Sequence, residues 1–417
     1  MHKRTTPALL AATALMGTAS VAMAADLPSR EEMWKMLQQQ QQEINGLRQE
    51  LQSQKSAPAP QQAAPPPQAA PQAAEAGKEP PKKEGLNWSD RITLSGAVDV
   101  RANTVETFKN AATSDVVIDT VKLGIDVKIA DMVTGRIVFL HEEPYNAPDT
   151  AFVDVDEATI TLGDTERQPL YLTAGRKTVP FGKFTTNLIS DPLTMQLGET
   201  KESVLEVGFQ HKGGYGSVYA FNGNAQKAGG NDTIDQFGAN LGYGGKIREV
   251  TFDFGGSLIN SLEDSEVLTS RIATVNAMQQ HIGGAGLHAQ VGFSGFTLIG
   301  EYITALDRFA PTELAWNGGG AKPSAWNLEA GYGFTMMGKE TTIAGAWQGS
   351  EEALGLGGGL GFPENRLMVG FSMGIYDHTT LAMEWMHDKD YNTTDISTAP
   401  GTNNTANTGT VKLAVEF

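Results

Sequence analysis

Within one stretch of the 417-residue chain stand Arg176, Lys177, Lys183 and Lys201, and among them Asp191, Glu199 and Glu202. These residue types can ionise, pair and attract ions. They come without a serine nucleophile elbow, without a pair of catalytic carboxylates and without histidines at metal-ligand spacing. No catalytic residue, metal site or cofactor is therefore expected. Opposed charges have another use: set around a constriction, they sort the solutes that pass it.

Elements must bring such residues together. The strand ending at Arg176 runs into Val179-Pro180-Phe181-Gly182, where proline denies a ladder donor and glycine permits a sharp bend. The next strand starts near Leu205, so 177–204 is a loop of a length that is usually functional. Folded inward, it would carry the seven charges toward one another.

Around this loop the chain alternates in period 2. The last residues place Val411, Leu413, Val415 and Phe417 on one face and Lys412, Ala414 and Glu416 on the other. A strand apolar outward and polar inward, closed by a terminal aromatic, suits a lipid-embedded barrel, and those four residues read as the mark recognised by outer-membrane assembly machinery. Trp326, Leu328, Ala330, Tyr332 and Phe334 share a face opposite Asn327 and Glu329 in the same way. From Ile92 onward about sixteen strands are expected, beginning with 92–102, 117–129, 133–141, 151–162, 170–176 and 205–212 and ending with 366–374, 381–387 and 410–417. Tight turns such as 130–132, 244–246, 294–295 and 376–378 alternate with long links near 103–116, 142–150, 222–235, 260–281, 306–324, 349–365 and 388–409. The expected fold is thus all-β, an antiparallel transmembrane β-barrel over 87–417 with short periplasmic turns, long external loops and both termini in the periplasm.

The N-terminal quarter differs. Lys3 and Arg4, an apolar run and Ala22-Met23-Ala24 read as a signal peptide over 1–24. A capping box at Ser29 and Glu32 opens a helix whose Met33, Leu37, Ile44, Leu47 and Leu51 suggest a short coiled coil over 25–52, able to join three copies as a homotrimer. Residues 53–86, rich in Pro, Ala and Gln, read as an extended spacer. There is no cysteine, so no disulfide or thiolate metal site exists, and the net charge of −17, more negative still once Lys3 and Arg4 leave, disfavours nucleic acid as a partner. The expected partners are outer-membrane lipid, the assembly machinery and a transported solute.

The segments DEATITL (156–162), PLYLTAGRKTVPFGKF (169–184) and ISDPLTMQLGET (189–200), together with VKLAVEF (411–417) and the N-terminal helix, closely resemble the legiobactin-uptake (LbtU-type) siderophore porin family. The resemblance implies a sixteen-stranded outer-membrane barrel that imports ferric siderophore for iron acquisition without a plug domain. A weaker resemblance, through VPFG, is to anion-selective porins with N-terminal coiled coils. Two alternatives stand beside siderophore import: a general or ion-selective trimeric porin for small hydrophilic solutes, and a barrel-anchored envelope tether in which the helix and spacer are the working part.

Overall fold

The structure, a computed structural model, describes residues 88–109, 111–143, 153–356 and 362–417. The expected signal, coiled coil and spacer lie outside the described residues. A short 3-10 turn, Trp88–Arg91, leads into β1 (Ile92–Glu106), β2 (Ala112–Ala130), β3 (Val133–Glu142), β4 (Asp154–Leu162), β5 (Leu170–Thr178), β6 (Lys201–His211), β7 (Gly214–Phe221) and β8 (Gln236–Ile247). Then follow β9 (Val250–Ile259), β10 (Gly284–Phe293), β11 (Phe296–Ala305), a two-residue pair β12 (Ala315–Trp316) and β13 (Gly319–Gly320), β14 (Ser324–Met336), β15 (Lys339–Glu351), β16 (Asn365–Tyr376), β17 (Thr379–Lys389) and β18 (Thr405–Glu416). Sixteen of these, all but the β12–β13 pair, form one closed antiparallel barrel in which β1 meets β18. Closure satisfies every strand edge, which a spanning sheet in hydrocarbon requires.

The register sorts the side chains as period 2 demands. Val411, Leu413, Val415 and Phe417 are all exposed on the outer surface, while Lys412 reaches Asp99 across the closing seam at 3.2 Å on the inner one. Gly96 and Phe417 exchange two backbone hydrogen bonds of 2.9 and 3.0 Å, so the final residue extends the ladder. On β14 Leu328 is 52% exposed while Asn327 and Glu329 are 0% and 4% exposed, which separates the lipid face from the lumen. Outward rings mark two belts. Phe293, Phe296, Tyr332 and Phe334 stack near the short turns, and Trp326 and Trp347 pack edge to face at 4.6 Å nearer the long loops. Trp326 and Phe334 are eight residues apart, roughly 26 Å along the strand and about 20 Å along a tilted barrel axis, close to an apolar band of about 25 Å.

Two-residue turns join β6–β7, β8–β9, β10–β11, β14–β15 and β16–β17, with left-handed residues such as Ser294 and Gly295, φ 48° and 83°. The turn expected at 244–246 is strand instead: β8 runs on to Ile247 and the chain reverses at Arg248–Glu249, Arg248 taking φ 57°. Most strands reach further than expected on the loop side. β1 extends to Glu106 and β2 starts at Ala112, so the long link expected over 103–116 is a tall hairpin. Beyond the membrane no lipid face constrains the outward residues, so polar side chains such as Asp115 stand in ladders that an apolar alternation does not reveal.

A second core lies inside the barrel. Val179, Phe181, Leu193 and Leu197 from the link after β5 pack with Leu262, Leu268, Ile272, Met278 and Ile282 from the link after β9, with Phe309 and Leu314 from the link after β11, and with inward wall residues such as Phe221 and Ile303. These side chains are excluded from water as in a soluble protein. The loops that carry them fill part of the lumen and leave open space beside them.

Candidate functional site: the inward loop and the space beside it

The loop between β5 and β6 leaves the wall where the backbone requires it to. Val179 N donates to Thr200 O at 2.9 Å, closing the loop's base. Pro180 then ends the ladder and Gly182 turns at φ 84°, a conformation that favours glycine. Within the loop, Leu193–Gly198 forms helix α1, begun after Pro192 and buried through Leu193 and Leu197.

Three carboxylates of the inner wall grip this loop. Glu301 on β11 accepts from Lys183 N at 2.6 Å, from Phe184 N at 3.2 Å and from Thr194 Oγ1 at 2.6 Å. Glu329 on β14 accepts from Thr186 Oγ1 at 2.7 Å and from both Asn187 N and Nδ2 at 2.6 and 2.7 Å. Glu384 on β17 accepts from Ile189 N, Ser190 N and Ser190 Oγ at 2.7, 3.2 and 2.6 Å. Gln348 on β15 completes the set, accepting from Leu193 N at 3.0 Å. An irregular buried loop must find partners for its backbone donors, and ionised acceptors are the strong ones.

On the opposite side of the loop lie two adjoining spaces of about 480 and 370 Å³. The first is bounded by Arg101, Asp119, Arg366 and Lys412 on the wall, by Ile189, Ser190 and Asp191 on the loop, and by Arg271 of helix α2, Glu266–Arg271. The second is bounded by Lys122, Asp156, Glu199, Lys201 and Glu266. Thr120, Glu142, Asp191, Gln196 and Val267 line both. Together the linings carry six cations (Arg101, Lys122, Lys201, Arg271, Arg366, Lys412) and six carboxylates (Asp119, Glu142, Asp156, Asp191, Glu199, Glu266), so the chain's large negative charge is not concentrated here. Some are already paired: Arg101 with Asp119 at 2.9 Å, Lys201 with Asp156 at 2.7 Å, and Arg366 with buried Asp388 at 2.8 Å. Burial pushes the Glu199 carboxyl up to about 7, Lys201 opposing this and Glu266, Asp191 and Asp156 adding to it. Asp191 is exposed to the open space within the barrel; the protein around that space raises its carboxyl, and Asp119 adds to the rise against Lys412 and Arg101.

Of the seven charges singled out in the sequence, the fold brings Asp191, Glu199 and Lys201 to this space. Lys177 is inside the barrel but bound to Glu206 at 2.7 Å. Lys183 lies elsewhere in the lumen, 3.2 Å from Asp253 and over the Tyr215 ring at 5.4 Å. Glu202, also inward, accepts from Asn224 Nδ2 at 3.2 Å. Arg176 lines neither space. It pairs across the ladder with Ala158 and Ser203 and acts electrostatically on inward Glu202. Glu157, which faces inward, is taken by Arg136 at 2.7 Å. The wall cations Arg101, Lys122 and Lys412 were not singled out as site residues, although their strands' alternation does place them on the polar face. Nothing local marks Glu301, Glu329 or Glu384 as the loop's partners.

No family model matches the chain. A UPF0422 protein of Coxiella burnetii is 27% identical over 320 residues, covering 76% of this chain and 67% of the relative. A UPF0422 protein of Legionella pneumophila is 28% identical over 360 residues, covering 78% and 66%. The chain thus spans about two thirds of the length of these relatives. Among solved structures, the anion-selective porin from Comamonas acidovorans superposes with a TM-score of 0.53 at 12% identity, covering 78% of this chain and 99% of that one. The outer membrane channel DcaP of Acinetobacter baumannii gives 0.52 at 11%, covering 78% and 97%. At such identities the likeness is one of fold. The chain has the porin-like barrel of outer-membrane proteins, a fold that supports an outer-membrane location.

Proposed function

We propose that this protein is an outer-membrane diffusion channel for small hydrophilic solutes, its constriction formed between the β5–β6 loop and the wall of β1, β2, β3 and β18, with both termini in the periplasm. The observation that carries the reading is the loop's anchorage: Glu301, Glu329 and Glu384 hold it across the barrel, and charged, open space remains beside it. Loops that merely cover a barrel have no need of such a grip. Purified protein in a planar bilayer should give stepwise conductance that scales with salt concentration; a correctly assembled barrel that passes no current would overturn the proposal.

A second reading is import of ferric siderophore. It is favoured by the resemblance of 156–208, the stretch that supplies most of β4, all of β5, the inward loop and most of β6. Arg101, Arg271 and Lys412 would meet an anionic complex in the first space. Uptake of labelled ferric siderophore is to be compared in a deletion strain with and without the gene restored. Equal uptake in the two removes this reading and leaves the solute channel.

A further inference from the structure

The two spaces beside the loop differ in sign, and helix α2 lies along both. Its first residue, Glu266, lines the second space, its last, Arg271, lines the first, and Val267 lines both. Five residues of rise separate Glu266 from Arg271 by roughly 7.5 Å along the helix axis. Glu266 is half exposed and pairs with Lys201 Nζ at 3.7 Å, whereas Arg271 is exposed and forms no ion pair among the described residues. Counted over all charged lining residues, the first space has four cations and three carboxylates, and the second has two cations and five carboxylates. The two spaces share five lining residues, so a solute in one borders the other.

We propose that the channel favours linear zwitterions, solutes carrying an ammonium and a carboxylate some 7–10 Å apart, a separation set by the length of α2. The ammonium lies toward Glu266 and Glu199, the carboxylate toward Arg271 and Arg101. This rests on the channel reading above and names its solute class. A singly charged solute gains at one end of the opening only, and a neutral one at neither. A zwitterion of matched length gains at both and orients as it enters.

The test is swelling of proteoliposomes in four solutes of nearly equal size: 6-aminohexanoate, the cation 6-aminohexanamide, the anion 6-hydroxyhexanoate and the neutral 6-hydroxyhexanamide. The zwitterion should enter about threefold faster than the neutral compound, the factor expected of charge contacts some 8 Å away in largely aqueous surroundings, and faster than either single ion. Glu266→Gln should abolish the preference and move the order toward the anion, and Arg271→Gln should move it toward the cation. Entry of the neutral compound reports that each variant has assembled. Equal rates for the zwitterion and the neutral compound, or a single ion entering fastest in the wild type, would overturn the proposal while leaving the channel intact. No swelling in any solute and no conductance would instead defeat the channel reading on which it rests.

Discussion

Glu384 makes a direct test of the anchored loop. Its carboxylate receives three hydrogen bonds, from Ile189 N, Ser190 N and Ser190 Oγ, immediately before Asp191 enters the open space. Hydrogen bonds to a charged acceptor contribute about 1.5–3 kcal/mol each when both groups are shielded. Here lumenal water can replace part of the loss, so Glu384→Ala should weaken this segment by about 2–4 kcal/mol in all. The loss stays local, because Glu384 pairs through its backbone with Gly370 and Thr410 whatever its side chain, and because Glu301 and Glu329 still hold residues 183–187 and 194. Hydrogen exchange reads the effect. At about 1.4 kcal/mol per factor of ten, the amides of Ile189 and Ser190 should lose about 30- to 700-fold in protection, while amides of the wall strands keep theirs. Single-channel records should gain low-frequency noise as Asp191 wanders. Glu384→Gln, which keeps one acceptor oxygen, should fall between. Wild-type protection at 189–190 with quiet channels in the alanine variant would refute the idea that wall carboxylates set the loop.

Charge reversal tests the lumenal cations. Lys201→Glu should shift the reversal potential in a salt gradient toward cations; an unchanged potential in an assembled variant would remove Lys201 from the conducting path. The carboxyl of Glu199, raised to about 7, should ionise in the channel's working range, so cation preference should rise between about pH 6 and 8 and this step should vanish in Glu199→Gln. The sign for stability is opposite to that of an ordinary salt-bridged carboxylate. The folded state keeps a proton that the unfolded chain releases near pH 4.5, so Glu199 favours folding below that value and its contribution is lost as pH rises through about 7. Urea midpoints of Glu199→Gln and wild type should therefore converge at low pH and diverge above it. Gly175 takes φ 129°, and an added Cβ would lie 2.0 Å from Ala158 O, a backbone atom that cannot move without opening the β4–β5 ladder. Gly175→Ala should cost roughly 2–4 kcal/mol, visible as a lower urea midpoint or loss of the heat-modifiable band.

The barrel was legible residue by residue because its cause is local. A strand in lipid must alternate, so Val411, Leu413, Val415 and Phe417, or Trp326 through Phe334, announce their outer face without help from any distant residue. The turns near 130–132, 294–295 and 376–378 and the long loop after Val179-Pro180-Phe181-Gly182 were visible for the same reason, being written in backbone preferences. The inward placement of Lys412 and Lys122 was likewise readable, since the opposite face of an apolar alternation is lumen.

What tertiary structure alone decided is where the loop goes and what it meets. Lys183 finds Glu301 118 positions away, and Ile189 finds Glu384 195 positions away. Asp99 and Lys412 touch across 313 positions only because the sheet closes on itself. No periodicity carries such information: an inward glutamate looks the same in the sequence whether it faces water, a lysine or a row of backbone amides. The sequence by itself determined a sheet with one face for lipid and one for solvent. Closure and the buried core within the lumen determined which of the inward charges share an opening, because only in the closed barrel do strands from the two ends of the chain become neighbours.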